Sequence, residues 1–165
     1  MKLLKRFDIL LNKLEGGLLI LFLSAMILLA FAQVVLRNVF FAGILWGDIL
    51  LRHLVLWIGF LGAAIATSNG RHISIDALTR FLPTRPRQAV SVLTHLFAAA
   101  ICYLLLRGSI TFIRNEIAMQ TTVYESIPSW YGEIIIPVGF GLLVVHFVIR
   151  AVVGLQSFVR GEGPA

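Results

Sequence analysis

Residues 60–78, FLGAAIATSNGRHISIDAL, contain the change that decides the fold. The stretch begins as small apolar residues and passes through Asn69 and Gly70 into Arg71 and His72. Asn and Gly tolerate the left-handed backbone angles that end a helix, and basic residues follow membrane helices where the chain meets the lipid head groups. The stretch therefore predicts that a membrane-spanning helix ends here.

Composition extends this prediction to the whole chain. Of the 165 residues, 59% are hydrophobic and 13% are charged, whereas soluble domains carry about 25% charged residues. A spanning helix needs about 20 apolar residues, and four stretches are long enough: 16–36, 48–68, 88–107 and 131–153. We predict a single all-α integral membrane domain over residues 1–165, with an amphipathic interfacial helix at residues 3–14 ahead of the first span.

The basic residues predict the orientation in the membrane. The formal net charge is +6, and ten of the 14 lysines and arginines lie in the N-terminal segment, between spans two and three, or at the end of span four. Because cytoplasmic loops carry an excess of Lys and Arg, we predict that both termini are cytoplasmic. Membrane lipids account for this charge, so no nucleic acid is expected.

Ionisable residues inside spans are the usual functional candidates, and here they lie near span ends. Asp48 and Arg52 are four residues apart, which leaves two interpretations open: a local ion pair or contact with a partner. His72 and Asp76 have the same spacing, and two ligands do not make a metal site, so a hydrogen bond that fixes the turn is the preferred interpretation. No span shows a carboxylate near its middle, as a proton-coupled carrier would require.

Two histidines lie at similar depths in the predicted spans. His95 is about seven residues into span three, and His146 is about seven residues from the end of span four, so each would lie roughly 10 Å inside the same membrane face. One interpretation is a bis-histidine haem in an electron-transfer subunit. The other is packed neutral histidines or hydrogen bonds between helices.

Small residues follow one another along span two. They are Gly59, Gly62, Ala63, Ala64 and Ala66. Lipid provides no hydrophobic force between helices, so small residues favour association by letting backbones approach closely. We predict that span two is buried against other helices.

A family resemblance follows from motifs that occur in order along the chain. They are VVLRNVF at the end of span one, WGDILLR at residues 46–52, LVLWIGFLGAAIAT, and RHISIDAL at residues 71–78. Together they resemble the small membrane subunit of tripartite ATP-independent periplasmic (TRAP) transporters over nearly the whole chain. The family often has two adjacent acids in the second motif, whereas here Ile49 follows Asp48.

The resemblance implies a multi-pass protein of the bacterial inner membrane, and a non-catalytic one without a cofactor. Its expected role is a scaffold in an importer of organic acids driven by an ion gradient, usually of sodium. A larger polytopic subunit would hold the solute and ion sites, and a periplasmic solute-binding protein would deliver the solute. The residues that we predict at the partner interface are Trp46, Asp48, Arg52, Gly59, Gly62, Ala63, Ala66, His72 and Asp76.

Overall fold

The computed structural model describes residues 2–68, 84–124 and 127–160, with side chains described for 8–68, 89–123 and 127–156. Five helices lie in these ranges: α1 (Lys2–Val39), α2 (Leu45–Ser68), α3 (Thr84–Met119), α4 (Trp130–Glu133) and α5 (Ile135–Arg160). Two very short strands, β1 (Thr122–Tyr124) and β2 (Ile127–Pro128), separate α3 from α4.

Four helical segments are long and apolar enough to span a membrane, which confirms the predicted helical membrane protein. They are Asp8–Val39, Leu45–Ser68, Ala89–Met119 and Trp130–Gln156. The segment predicted as a separate interfacial helix is continuous with the first of them, because α1 runs without interruption for 38 residues. At about 1.5 Å per residue α1 is about 57 Å long, well beyond a hydrocarbon core of about 30 Å.

Pro137 explains the interruption between α4 and α5. The backbone N–H of Ile134 donates to the carbonyl of Trp130 at 3.0 Å, and that of Val138 donates to Ile134 at 3.2 Å. Proline has no N–H, so Pro137 cannot bond to the carbonyl of Glu133 four residues earlier. The helix therefore breaks at Ile134 and resumes at Ile135, and Trp130–Gln156 still counts as one segment long enough to span a membrane.

The connection between α3 and α4 contains a short pair of strands. Its strands β1 and β2 are antiparallel, with Thr122 opposite Pro128. Gln120, directly after α3, has a φ of 51°, and a left-handed residue is a common way to end a helix. This end of the molecule is called the β1–β2 end below, and the opposite end, where α2 finishes, is called the Ser68 end.

The long helices pack in series. The main contacts join α1 to α2, α2 to α5, and α5 to α3. The share of buried residues in the most apolar part of each helix is 28% for α5 and 17% for α2. It is only 6% for α1 and for α3. The two middle helices are thus α2 and α5, and α1 and α3 lie at the ends of the series.

Close approach between the middle helices depends on Gly139. A Cβ atom at Gly139 would lie 2.8 Å from the Cβ of Phe60, a distance that requires a shift of one helix. The Phe60 ring meets Phe140 edge to face, with 5.1 Å between ring centroids, and the Trp57 indole N–H donates to the carbonyl of Gly132 at 2.9 Å. The order of these contacts along both helices shows that α2 and α5 run parallel.

Replacing Gly139 with leucine should destabilise the packing of α2 on α5, because the side chain would overlap Phe60. Overpacking costs roughly 1–3 kcal/mol, so the thermal denaturation midpoint in detergent should fall. The control is Gly141→Leu, since a Cβ at Gly141 meets no atom within 4 Å. Equal midpoints for both variants would contradict this account.

Candidate functional site

Helix α2 has a buried side and an open side. The buried side carries Gly47, Leu54, Leu61, Ala64, Thr67 and Ser68. The open side carries the exposed residues Arg52, Gly59 and Ala63, with Gly62 and Ala66 half-buried. At 3.6 residues per turn these five residues share one side of the helix, and we call them the small-residue face.

The glycines of the small-residue face pack against no described residue of this chain. A Cβ atom added to Gly59 or Gly62 would meet nothing within 4 Å. Within the described part of the chain, close helix approach depends instead on Gly132 and Gly139, where an added Cβ would overlap His53 and Phe60. The prediction that span two is buried is thus correct for one side of α2, and the small-residue face stays uncovered.

Gln33 joins the end of α1 to the start of α2. Its side-chain N–H donates to the carbonyl of Ile44 at 2.8 Å, and its side-chain oxygen accepts from the N–H of Ile44 at 3.1 Å. Gln33 is 4% exposed and lies over Gly47, whose added Cβ would be 3.0 Å from the Gln33 carboxamide carbon. The backbone N–H and the carbonyl of Ile44, which lies outside the helices, are therefore both hydrogen-bonded. A buried backbone group without a partner costs about 1–3 kcal/mol.

Asp48 pairs with Arg37 of α1, not with Arg52. The Arg37 guanidinium lies 2.6 Å from the Asp48 carboxylate, and Gln33 donates to the other carboxylate oxygen at 3.4 Å. Arg52 makes no ion pair with any described residue. The local pair proposed from the spacing is thus replaced by a contact between helices, because the short connection brings Arg37 beside α2. Exposed pairs of this kind contribute about 0–1 kcal/mol, so this pair mainly orients the two helix ends.

Of the remaining predicted interface residues, the structure describes Trp46, which lies apart from the small-residue face. Trp46 is 46% exposed and lines an apolar cleft on another side of α2. His72 and Asp76 lie outside the described residues, so their proposed hydrogen bond stays a prediction. The structure therefore brings together Arg52, Gly59 and their three neighbours on the same face, but not the whole predicted set.

A buried polar cluster, which the sequence analysis missed, joins α1 to α5. The His146 side chain is fully buried, with one ring nitrogen 2.9 Å from a Glu15 oxygen and the other 3.2 Å from an Asp8 oxygen. We call these three residues the His146 clasp. Beside it, the Asn12 side chain donates to the Ser68 hydroxyl at 2.9 Å, which also ties in the end of α2.

The sequence contained a signal for the clasp. Asp8, Asn12 and Glu15 are spaced four and three residues apart, which places them on one face of a helix. The sequence analysis placed Glu15 before the first span, whereas the structure places it inside the apolar segment with 3% of its surface exposed. Charge inside a spanning helix is expensive and calls for a partner, and His146 is that partner.

The haem interpretation gains no support from the histidine contacts. Both ring nitrogens of His146 face carboxylates, so neither is free for iron. His95 lies against the carbonyl of Ser91 in its own helix at 2.6 Å, and its ring packs near Phe147. His146 therefore has the role of a contact between helices that the other interpretation predicted.

Comparison with known proteins identifies the family. The profile of the family described as "Tripartite ATP-independent periplasmic transporters, DctQ component" matches residues 26–157. The chain belongs to this DctQ family. A protein named as a TRAP transporter small permease in Haemophilus influenzae is 34% identical over 156 residues, covering 92% of this chain and 93% of the relative.

Two further DctQ relatives differ in length. The C4-dicarboxylate TRAP transporter small permease DctQ of Pseudomonas aeruginosa is 28% identical and covers 93% of this chain and 88% of the relative. The sialic acid TRAP transporter permease SiaT of another Haemophilus influenzae strain is 28% identical over 88% of this chain, which corresponds to 24% of that relative. The resemblance drawn from the motifs is confirmed: the chain is a multi-pass inner-membrane subunit of a TRAP transporter.

Replacing His146 with leucine should strongly destabilise the chain, because Glu15 would stay buried without its partner and Asp8 would lose its contact with α5. Breaking one side of a buried ion pair costs about 3–5 kcal/mol, so we expect a large fall in the denaturation midpoint in detergent. The matched control is His95→Leu, which removes a contact within one helix. A similar small effect of both substitutions would show that the clasp does not hold α1 to α5.

Proposed function

We propose that this chain is a non-catalytic scaffold subunit that supports the larger transport subunit of a solute importer. The observation that carries this proposal is the uncovered small-residue face of α2. Glycines facing lipid have no evident advantage, whereas glycines facing another helix let its backbone approach closely. A central helix with open glycines at Gly59 and Gly62 is therefore suited to receive a helix of another chain.

The arrangement of polar groups also favours a supporting role. A transport site needs polar groups that converge on an open cavity. In the described ranges, the polar groups of the His146 clasp contact one another, and those of Gln33 bond to Ile44 and Asp48. The two buried carboxylate oxygens without a partner, on Glu15 and Glu133, belong to opposite ends of the molecule and do not converge. Packing in series gives a broad structure with large lateral faces, which suits a subunit that widens and steadies a moving partner.

The relatives support a large partner. In the sialic acid permease of Haemophilus influenzae, the segment similar to this chain is about a quarter of a longer protein. We propose that the remaining function of such a permease is carried here by a separate polytopic subunit, and that a periplasmic solute-binding protein contacts the β1–β2 end. Trp46, Asp48 and Arg52 would then order the surface near both partners.

For the solute, we propose an organic acid. Two relatives are named for C4-dicarboxylate and for sialic acid, and both solutes carry carboxylates. Import driven by an ion gradient, with sodium as the coupling ion, rests on the family resemblance alone.

We further propose that both termini are cytoplasmic and that all 165 residues form one membrane domain. The β1–β2 end then faces the exterior, and the first turns of α1 lie at the cytoplasmic head groups, as their lysines favour. His72 and Asp76 would fix the cytoplasmic turn after α2.

The proposal predicts a stable complex with a larger membrane protein. The tagged chain should be extracted in mild detergent and its companions identified by mass spectrometry. Recovery of a polytopic transport subunit in comparable amount is the expected result. Recovery of the chain alone, or with redox proteins and haem, would contradict the scaffold role.

Replacing Gly62 with leucine should weaken that complex without preventing membrane insertion, because the side chain would separate the two helix backbones. We expect about a tenfold lower recovery of the larger subunit, equivalent to about 1.4 kcal/mol. The control is Gly108→Leu on α3, where the glycine is exposed and an added Cβ also meets no atom. Unchanged recovery with Gly62→Leu, or an equal loss with Gly108→Leu, would argue against the small-residue face as the interface.

A further inference from the structure

An apolar cleft of about 600 Å³ lies beside α2 at the β1–β2 end. Ile49 and Leu50 of α2 line it, Phe22 of α1 lies on one side, and Ile127 and Tyr131 lie on the other. Its volume is in the range of small-molecule sites. We call it the α2 cleft.

The cleft forms because, within the described ranges, α1 is joined to α5 at the Ser68 end and not at the β1–β2 end. At the Ser68 end, the His146 clasp joins α1 directly to α5. Near the β1–β2 end no hydrogen bond between described residues joins α1 to α4 or α5. The space between α1 and α4 therefore stays open beside α2. Phe22 and Trp57, whose rings meet edge to face with 5.2 Å between centroids, also line the cleft.

Most polar groups in the lining are already engaged. The Trp57 indole N–H donates to the carbonyl of Gly132 at 2.9 Å, and a ring nitrogen of His53 lies 2.8 Å from the carbonyl of Ile49. The remaining lining is almost entirely aliphatic and aromatic. The α2 cleft is therefore suited to an apolar occupant that makes no directed hydrogen bond inside it.

The depth of the cleft matches a lipid chain. Its lining residues on α2 run from Trp46 to Trp57, which are eleven residues or roughly 16 Å apart along the helix. This length is about half of a hydrocarbon core of about 30 Å. The cleft thus has the depth of one leaflet.

We propose that the α2 cleft binds the acyl chains of one phospholipid from the leaflet at the β1–β2 end. The chains would lie along Ile49 and Leu50 down to the Phe22–Trp57 contact. Trp46 and Tyr131 lie half-exposed at the cleft, where aromatic residues typically mark the membrane interface. This bound lipid would fill the space between α1 and α4, on a different side of α2 from the small-residue face, so the proposal does not depend on the scaffold function.

The test compares phospholipid retention by three forms of the full chain. Each is reconstituted in vesicles of phosphatidylethanolamine and phosphatidylglycerol, extracted in mild detergent, and weighed by native mass spectrometry. Leu50, 42% exposed in the cleft, is replaced with tryptophan to fill the space. The control, Leu28→Trp, adds the same bulk at a residue of α1 that is 68% exposed and does not line the cleft.

The expected result is one phospholipid retained by the native chain and by Leu28→Trp, and lost from Leu50→Trp. Retention by all three forms, or by none, would overturn the proposal. A second measurement does not depend on how Leu50→Trp folds: benzoylphenylalanine in place of Leu50 is photoactivated in membranes that contain the whole transporter. A phospholipid adduct supports the proposal, and an adduct with another protein overturns it.

Discussion

Asp8 and Glu15 of α1 lie against the two ring nitrogens of His146 in α5, and the arrangement of the helices depends on this contact. Lipid provides no hydrophobic force that would bring helices together, so buried polar contacts and close backbone approach decide which helices meet. Because α1 and α5 are not neighbours in the packing series, the clasp joins the two ends of a three-helix group. It closes this group at the Ser68 end and leaves it open at the β1–β2 end, where the α2 cleft lies.

The three-helix group gives α2 two different environments. Toward α5, Gly139 lets the ring of Phe60 approach the helix backbone, and this contact packs α2 closely on α5. On the opposite side, Gly59 and Gly62 meet no atom of the described residues. A helix with an open glycine surface is well suited to dock a large membrane partner, and an apolar cleft is well suited to lipid. One helix thereby serves two proposed contacts of different chemistry, on separate faces.

Much of the fold and part of the candidate site were predictable from the sequence, and the errors have identifiable causes. The spacing left open whether Asp48 pairs with Arg52 or contacts a partner. In the structure Asp48 pairs with Arg37 instead, since a short connection folds the end of α1 beside α2. Glu15 was placed outside the membrane helix because a charge normally marks a span boundary. The structure shows it buried, which is tolerable because a histidine 131 residues away in the sequence compensates the charge.

The sequence by itself determined the four apolar helices and the motifs of the DctQ family, because hydropathy is a local property of about 20 consecutive residues. Only the tertiary structure decided the packing order of the helices and which glycines are covered. Both depend on the rotation of each helix about its axis and on contacts between residues distant in sequence. The spacing of Asp8 and Glu15 places both on one helix face, but the Asp8–His146 contact spans 138 residues. No local pattern names His146 as the partner, so the pairing could be recognised only once the helices were placed together.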